Sequence, residues 1–189
     1  LSWKRPGVVL VGINDRVPEW HDLYEIDLAT GERKLIERNE QEFAGYEADS
    51  DLVPRLALKT GADSNDILRR TDQGWHPLIS YGRDDSLTTN LLTIEGDGKS
   101  ALLLSSIDRD KSALMRIDLA SGKPRVLADT LDVGFDSADW IDDRSIAVSY
   151  DSRGVTHVAR VTVANGSSTS LVADLGGTNT RVALADGKV

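Results

Sequence analysis

An all-β chain made of repeated antiparallel sheets is what this sequence predicts, and three observations predict it. Glycines recur at turn positions 31, 74, 122 and 166, so that successive anchors lie 43, 48 and 44 residues apart. Apolar residues ahead of three of them alternate with polar ones: Tyr24, Ile26, Leu28, then Met115, Ile117, Leu119, then Ala159, Val161, Val163. That is the period of a strand with one buried face. Helical period is missing, because Gly and Asp interrupt nearly every window of a dozen residues and no capped stretch stands out. A unit of roughly 44 residues holds four short strands joined by tight turns, the size of one propeller blade. The expected fold is a partial β-propeller of about four four-stranded antiparallel blades.

The first unit, about residues 6–39, reads as lacking one strand, with strands near 8–14, 23–28 and 34–37 around Gly31. The second, about 43–81, carries a degenerate alternation, Ile67, Arg69 and Thr71, ahead of Gly74. The third, about 91–129, is the clearest, with Gly96-Asp97-Gly98-Lys99 as a hairpin turn between 91–94 and 101–104. In the fourth, about 135–174, Asp142-Asp143-Arg144 replaces that glycine turn. Two further positions recur in phase, twenty and eighteen residues before the anchors: Val11 and Ile13, Pro54 and Leu56, Leu102 and Leu104, Ile146 and Val148. Five residues after each anchor stands an aliphatic residue, Ile36, Ile79, Leu127 or Leu171.

The chain's 189 residues suffice for the core of about one domain. A formal charge of −9 argues against nucleic acid or an anionic membrane as partner, since phosphate binding needs clustered Lys and Arg and here they are scattered. No apolar run approaches the length of a membrane span, and no basic-then-apolar leader opens the sequence. The absence of cysteine removes disulfides and thiolate chemistry and is compatible with cytoplasm or periplasm. A start at Leu1 rather than Met suggests a fragment or a processed product.

The run Asp22-Leu-Tyr-Glu-Ile-Asp-Leu-Ala-Thr-Gly31 resembles the propeller domain of prolyl oligopeptidase-type (S9) serine peptidases. So does the stretch from Gly74-Trp75-His76-Pro77-Leu78 through Gly96-Asp97-Gly98-Lys99 to Ile117-Asp118-Leu119-Ala120-Ser121-Gly122. The likeness covers about residues 5–150, and blades of this I-D-L-x-T/S-G kind also occur in TolB-like and, by repeat length, WD40-like propellers. The resemblance implies a propeller that caps an α/β-hydrolase domain and restricts entry to small peptides. It implies further blades beyond four, so this segment leaves two apolar sheet faces for self-association or for missing domains. No G-x-S-x-G nucleophile elbow occurs here, so no catalytic residue is assigned and no cofactor is expected. The expected role is non-catalytic: substrate gating, or interaction with peptide and with the missing hydrolase domain.

A second resemblance lies at the C-terminus, where 171–187 is similar to the opening hairpin and phosphate loop of bacterial glucokinases. Under that alternative Asp174, Gly176, Gly177, Thr178 and Asn179 would hold the phosphates of ATP with Mg. Glycines there would let backbone N–H groups approach the anion. The same residues 171–174 serve equally as the last strand of the fourth blade, and both readings stand at this point.

Other features read as structural. His21, His76 and His157 lie on or beside strands with no Ser or Cys partner in view. Asp132, Asp136, Asp139, Asp142 and Asp143 lack the spacing of a calcium loop and read as solvated turns. Asn165-Gly166-Ser167 matches a glycosylation acceptor, which has meaning only in an exported protein. Trp3, Trp20, Trp75 and Trp140 are irregularly placed and read as packing residues, and Arg69, Arg70 and Arg83 as charges that guard exposed strand edges.

Overall fold

The computed structural model describes residues 2, 4–130, 132–142 and 144–172. Their regular structure is β apart from one 3₁₀ turn, Arg83–Asp85. Four sheets follow one another along the chain, each an antiparallel meander in which sequential strands are neighbours.

The first sheet has three strands, β1 (Val8–Val17), β2 (Trp20–Asp27) and β3 (Arg33–Glu37). The second has four: β4 (Gly45–Ala48), β5 (Pro54–Thr60), β6 (Ser64–Thr71) and β7 (Gly74–Gly82). The third comprises β8 (Asn90–Ile94), β9 (Ser100–Ser105), β10 (Ala113–Asp118) and β11 (Pro124–Ala128). The fourth comprises β12 (Ser137–Asp142), β13 (Ser145–Ser152), β14 (Val155–Thr162) and β15 (Ser168–Val172). This is the all-β, propeller-type architecture that the glycine period predicts.

The anchor glycines owe their recurrence to one turn design. Gly31, Gly122 and Gly166 have φ of 73°, 71° and 74°, the left-handed region open to glycine, and each N–H donates to the carbonyl four residues earlier, on Asp27, Asp118 or Thr162. Asp27 Oδ1 accepts the N–H groups of Ala29 and Thr30, and Asp118 Oδ1 those of Ala120 and Ser121. The Asp of the I-D-L-A-T-G string is thus a turn cap that satisfies two donors otherwise left to water. It also explains why both carboxyls titrate below the usual range: hydrogen bonding from the turn favours the charged form. The second sheet departs from this design, joining β6 to β7 by a tighter turn in which Thr71 pairs directly with Gly74.

A bulge sits at one place in all four outer strands. Pairing passes from Leu23↔Glu37 to Tyr24↔Leu35, skipping Ile36, and Leu78, Leu127 and Leu171 are skipped in the same way opposite Ile67/Leu68, Leu114/Met115 and Val158/Ala159. The extra residue stays outside the ladder and increases the local twist. The tighter turn shifts the second copy by one residue, so Leu78 and not Ile79 is the counterpart of Leu127.

The chain divides into two compact units. One comprises Leu1–Arg83 with Thr93–Ala101 and Asp118–Gly122. Its core includes Phe43, Ala57, Leu68 and Trp75, with Tyr46 against them. The three rings of Phe43, Tyr46 and Trp75 meet edge-on or tilted at centroid distances of 5.4–5.8 Å, the favoured arrangement for aromatic pairs. The other comprises Asp84–Leu92, Leu102–Ile117 and Lys123–Val189. Its core gathers Leu102, Leu104, Leu114, Phe135, Ile146, Val148 and Val161. These include the phased positions of the third and fourth repeats, whereas Val11 and Ile13 of the first are only half-buried.

Candidate functional site

A cleft of about 540 Å³ opens in the first unit where β1 and β2 face β4. Leu10, His21, Leu23, Phe43, Tyr46 and Glu47 are among its lining residues. Gly12 on β1 lets the opposite strand come close, because a Cβ there would lie 3.1 Å from that of His21. Asp49 holds the far wall, accepting N–H groups from Asp51 and Val53 and the Arg55 Nε at 2.7 Å.

Glu47 is one of two titratable groups lining this cleft that burial alters strongly. Its carboxyl has no hydrogen-bond partner among the described residues, and burial pushes its pKa up to about 7. A carboxyl in that position is part acid, part carboxylate at neutral pH, because the poorly solvated site disfavours the charge. Beside it the Tyr46 hydroxyl is buried with no hydrogen-bond partner among the described residues, and burial raises its pKa. The arrangement offers a half-neutral carboxyl, an unsatisfied phenol and apolar walls, which suits holding a ligand in an apolar cleft with a few polar groups.

Below the cleft, Asp22 is almost fully buried and accepts both Arg16 Nε and Nη2 at 2.7 Å, with the Asn39 N–H also at 2.7 Å. The Arg16 hydrogen bonds hold its pKa down at about 2. Asn39 in turn bonds the Phe43 backbone through both ends of its amide. The network thereby fixes the entry into β4 and with it the position of Glu47.

The residues singled out from sequence are placed as follows. His21 lines the cleft, and His157 stacks on Tyr150 with ring centroids 5.2 Å apart. Trp75 packs in the aromatic core and donates Nε1 to Glu37, whereas Trp140 is partly exposed on β12. Asp136 and Asp142 accept backbone N–H groups of Asp151 and Arg144. Asp143 and Trp3, together with the phosphate-loop candidates Asp174, Gly176, Gly177, Thr178 and Asn179, lie outside the described residues.

Two arginines differ from their expected role as edge guards. Arg69 reaches the Leu119 carbonyl at 2.7 Å, and Arg70 pairs with Glu37 at 2.5 Å while lying over the Trp75 ring. Each finds an acceptor on another part of the first unit, so packing and not edge repulsion accounts for them. Glu47 went unremarked in the sequence because the four residues of β4 are all half-buried, leaving no alternation to separate its two faces.

No family model matches the chain. It is 40% identical over 155 residues to dipeptidyl aminopeptidase BIII of Pseudoxanthomonas mexicana, a match covering 80% of this chain and 22% of that protein. The chain thus spans about a fifth of this curated relative. Among solved structures it resembles TolB from Acinetobacter baumannii, with a TM-score of 0.56 at 18% identity over 87% of this chain and 41% of that one. It also resembles the β-propeller domain of the Trilobed protease from Pyrococcus furiosus, with a TM-score of 0.55 at 10% identity over 89% of this chain and 54% of that one. At those identities the structural likeness carries the fold, and the family link rests on the aminopeptidase. The chain is a β-propeller segment of the kind found in prolyl oligopeptidase-type (S9) peptidases, homologous over most of its length to a dipeptidyl aminopeptidase.

Proposed function

We propose that this segment serves a peptidase as a non-catalytic module that meets peptide substrate and adjoins an α/β-hydrolase domain in which the chemistry resides. The observation that carries this reading is the 40% identity to a dipeptidyl aminopeptidase across 155 residues that contain no nucleophile elbow. The cleft beside β4 supports a role in peptide selection, since it supplies polar groups and apolar walls but no activated nucleophile. In the longer peptidase that contains this segment, Glu47→Gln is expected to change KM for peptides in a length- and sequence-dependent way while kcat on a small ester stays the same. Amide or ester hydrolysis by the purified 189-residue chain, lost on replacing one serine, would overturn the non-catalytic reading.

The Asp174-Leu175-Gly176-Gly177-Thr178-Asn179 string favours a second reading, a nucleotide-phosphate loop. Calorimetric titration of ATP with Mg against the chain and its Gly177→Val variant tests it. Binding that the valine abolishes supports the loop, and no heat with either protein removes it.

A further inference from the structure

One clasp between repeats occurs twice, each time inside one compact unit. In the first unit Arg69 of β6 donates Nη1 to the carbonyls of Leu119 and Ala120, and Gly122 of that same turn lies against the Leu78 carbonyl, so close that a Cβ would come within 2.5 Å. In the second unit Arg116 of β10 donates Nη2 to the Val163 carbonyl at 2.8 Å, and Gly166 lies against the Leu127 carbonyl. Leu78 and Leu127 are the bulged residues of their outer strands, and Leu119 and Val163 stand three residues before their turn glycines. A third-strand arginine and a bulge carbonyl in one repeat thus grip the glycine turn of the next.

The turn gripped in the second unit differs from the others by one reactive residue. Thr30, Gln73 and Ser121 precede Gly31, Gly74 and Gly122, whereas Asn165 precedes Gly166, and no other asparagine of the chain is followed by glycine. The structural duty of the position is to accept a backbone N–H. Thr30 Oγ1 takes the Glu32 N–H at 3.2 Å, and Asn165 Oδ1 takes the Ser167 N–H at 3.0 Å. A hydroxyl does this without further chemistry. An asparagine amide brings an electrophilic carbon with it, and the nitrogen of a following glycine, unhindered by a side chain, is well suited to attack that carbon.

We infer that Asn165 is a self-modifying site whose rate is set by the clasp. The Gly166 backbone nitrogen bonds to the Asn165 Cγ, the side-chain nitrogen leaves as ammonia with the proton that Gly166 gives up, and a five-membered succinimide remains. Water then opens the ring at either carbonyl. Breaking the bond from Cγ to the Gly166 nitrogen gives aspartate, and breaking the bond from the residue 165 main-chain carbonyl carbon to that nitrogen gives isoaspartate. Water is the only co-reactant, and Asn165 is exposed to it.

The closed turn resists the first step at several points. The Gly166 N–H is already donated to the Thr162 carbonyl at 2.8 Å, and the Asn165 amide oxygen is fixed by the Ser167 N–H. Val163, two residues before Asn165, is held from both sides, its N–H by the Arg144 carbonyl at 2.9 Å and its carbonyl by Arg116. Attack therefore needs a local opening of the turn. Isoaspartate adds one carbon to the main chain between residues 165 and 166, beside a Leu127 carbonyl that leaves no room even for a β-carbon on Gly166. The reaction thus releases the grip of the third repeat on the fourth, and it does not reverse.

Ageing of the chain in mildly alkaline buffer, native and unfolded in urea, tests this, with conversion at Asn165 followed by fragment-ion mass spectrometry and by isoaspartate-specific enzymatic methylation. Native Asn165 is expected to react slower than the unfolded residue by about tenfold or more. Arg116→Met, which frees the Val163 carbonyl, is expected to speed the native reaction by about fivefold or more. The aged native chain should lose resistance to urea in step with its isoaspartate content. Asn165→Thr, which places there the residue of the first repeat's turn, should keep its resistance over the same time. Should Arg116→Met fail to fold by circular dichroism, the native and unfolded rates and the Asn165→Thr chain still decide. Equal rates in the native and unfolded chain, a native rate unmoved in a folded Arg116→Met, or an equal loss of resistance in wild type and Asn165→Thr would each overturn the proposal.

Discussion

Gly166 packs directly on the carbonyl oxygen of Leu127, so that a β-carbon at this turn would overlap the backbone of β11. Two features of the sequence meet in that contact, the 44-residue glycine period and the aliphatic residue five positions after each glycine. The turn glycine is needed for its φ of 74°, and also because the preceding repeat's bulge leaves no room for a side chain.

Gly166→Ala is therefore expected to cost about 3 kcal/mol or more, the left-handed backbone penalty plus a clash with backbone that cannot yield. Gly31→Ala, with the same φ but open space, is expected to cost only about 1–2 kcal/mol. Urea denaturation of both variants measures the difference, and equal losses would show that close approach adds nothing.

Arg116→Met keeps the aliphatic stem and removes the donor to the Val163 carbonyl. The expected loss is about 1–2 kcal/mol, the usual effect of taking a charged partner from a partly buried hydrogen bond. A double-mutant cycle with Gly166→Ala should show coupling, since both residues act on one turn.

Asp22→Ala leaves the Arg16 guanidinium and the Asn39 N–H without their acceptor beneath the cleft. A loss of about 2–4 kcal/mol at pH 7 is expected by chemical denaturation. Because the folded pKa is depressed to about 2, the wild-type carboxylate's contribution is complete above the unfolded value near 3.8 and vanishes as pH falls through about 2. The two proteins should therefore converge in stability across that acid window.

Glu47 has the opposite sign. Its folded pKa, about 7, lies above the ordinary value of 4.5, so the folded state binds the proton more tightly than the unfolded one. Its favourable contribution is full below about 4.5 and is lost as pH rises from there to about 7. Glu47→Gln should flatten that part of the stability profile and raise stability at pH 8 by roughly 1–3 kcal/mol. A profile with the same slope in both proteins would show that burial does not perturb this carboxyl.

Alternation at Met115, Ile117 and Leu119, together with repeated glycines, made the strands and their sheets legible in the amino-acid string, because side-chain direction and turn conformation are local properties. The I-D-L-A-T-G string disclosed its turn in the same way, since Asp27 and Asp118 bond groups only two or three residues away. What the string did not disclose arises at long range. Arg69 and Leu119 are 50 positions apart and Arg116 and Val163 are 47, so neither clasp leaves a mark on any short window.

The sequence by itself determined the repeat, the strands and the turns, and through homology the kind of peptidase propeller they come from. Only the tertiary structure decided that Leu78 rather than Ile79 is the bulged residue, that Arg69 grips a turn instead of guarding an edge, and that Glu47 sits where water is scarce. The physical reason is that bulge register and solvation depend on what packs against a residue from another strand, and that neighbour is not adjacent in the chain.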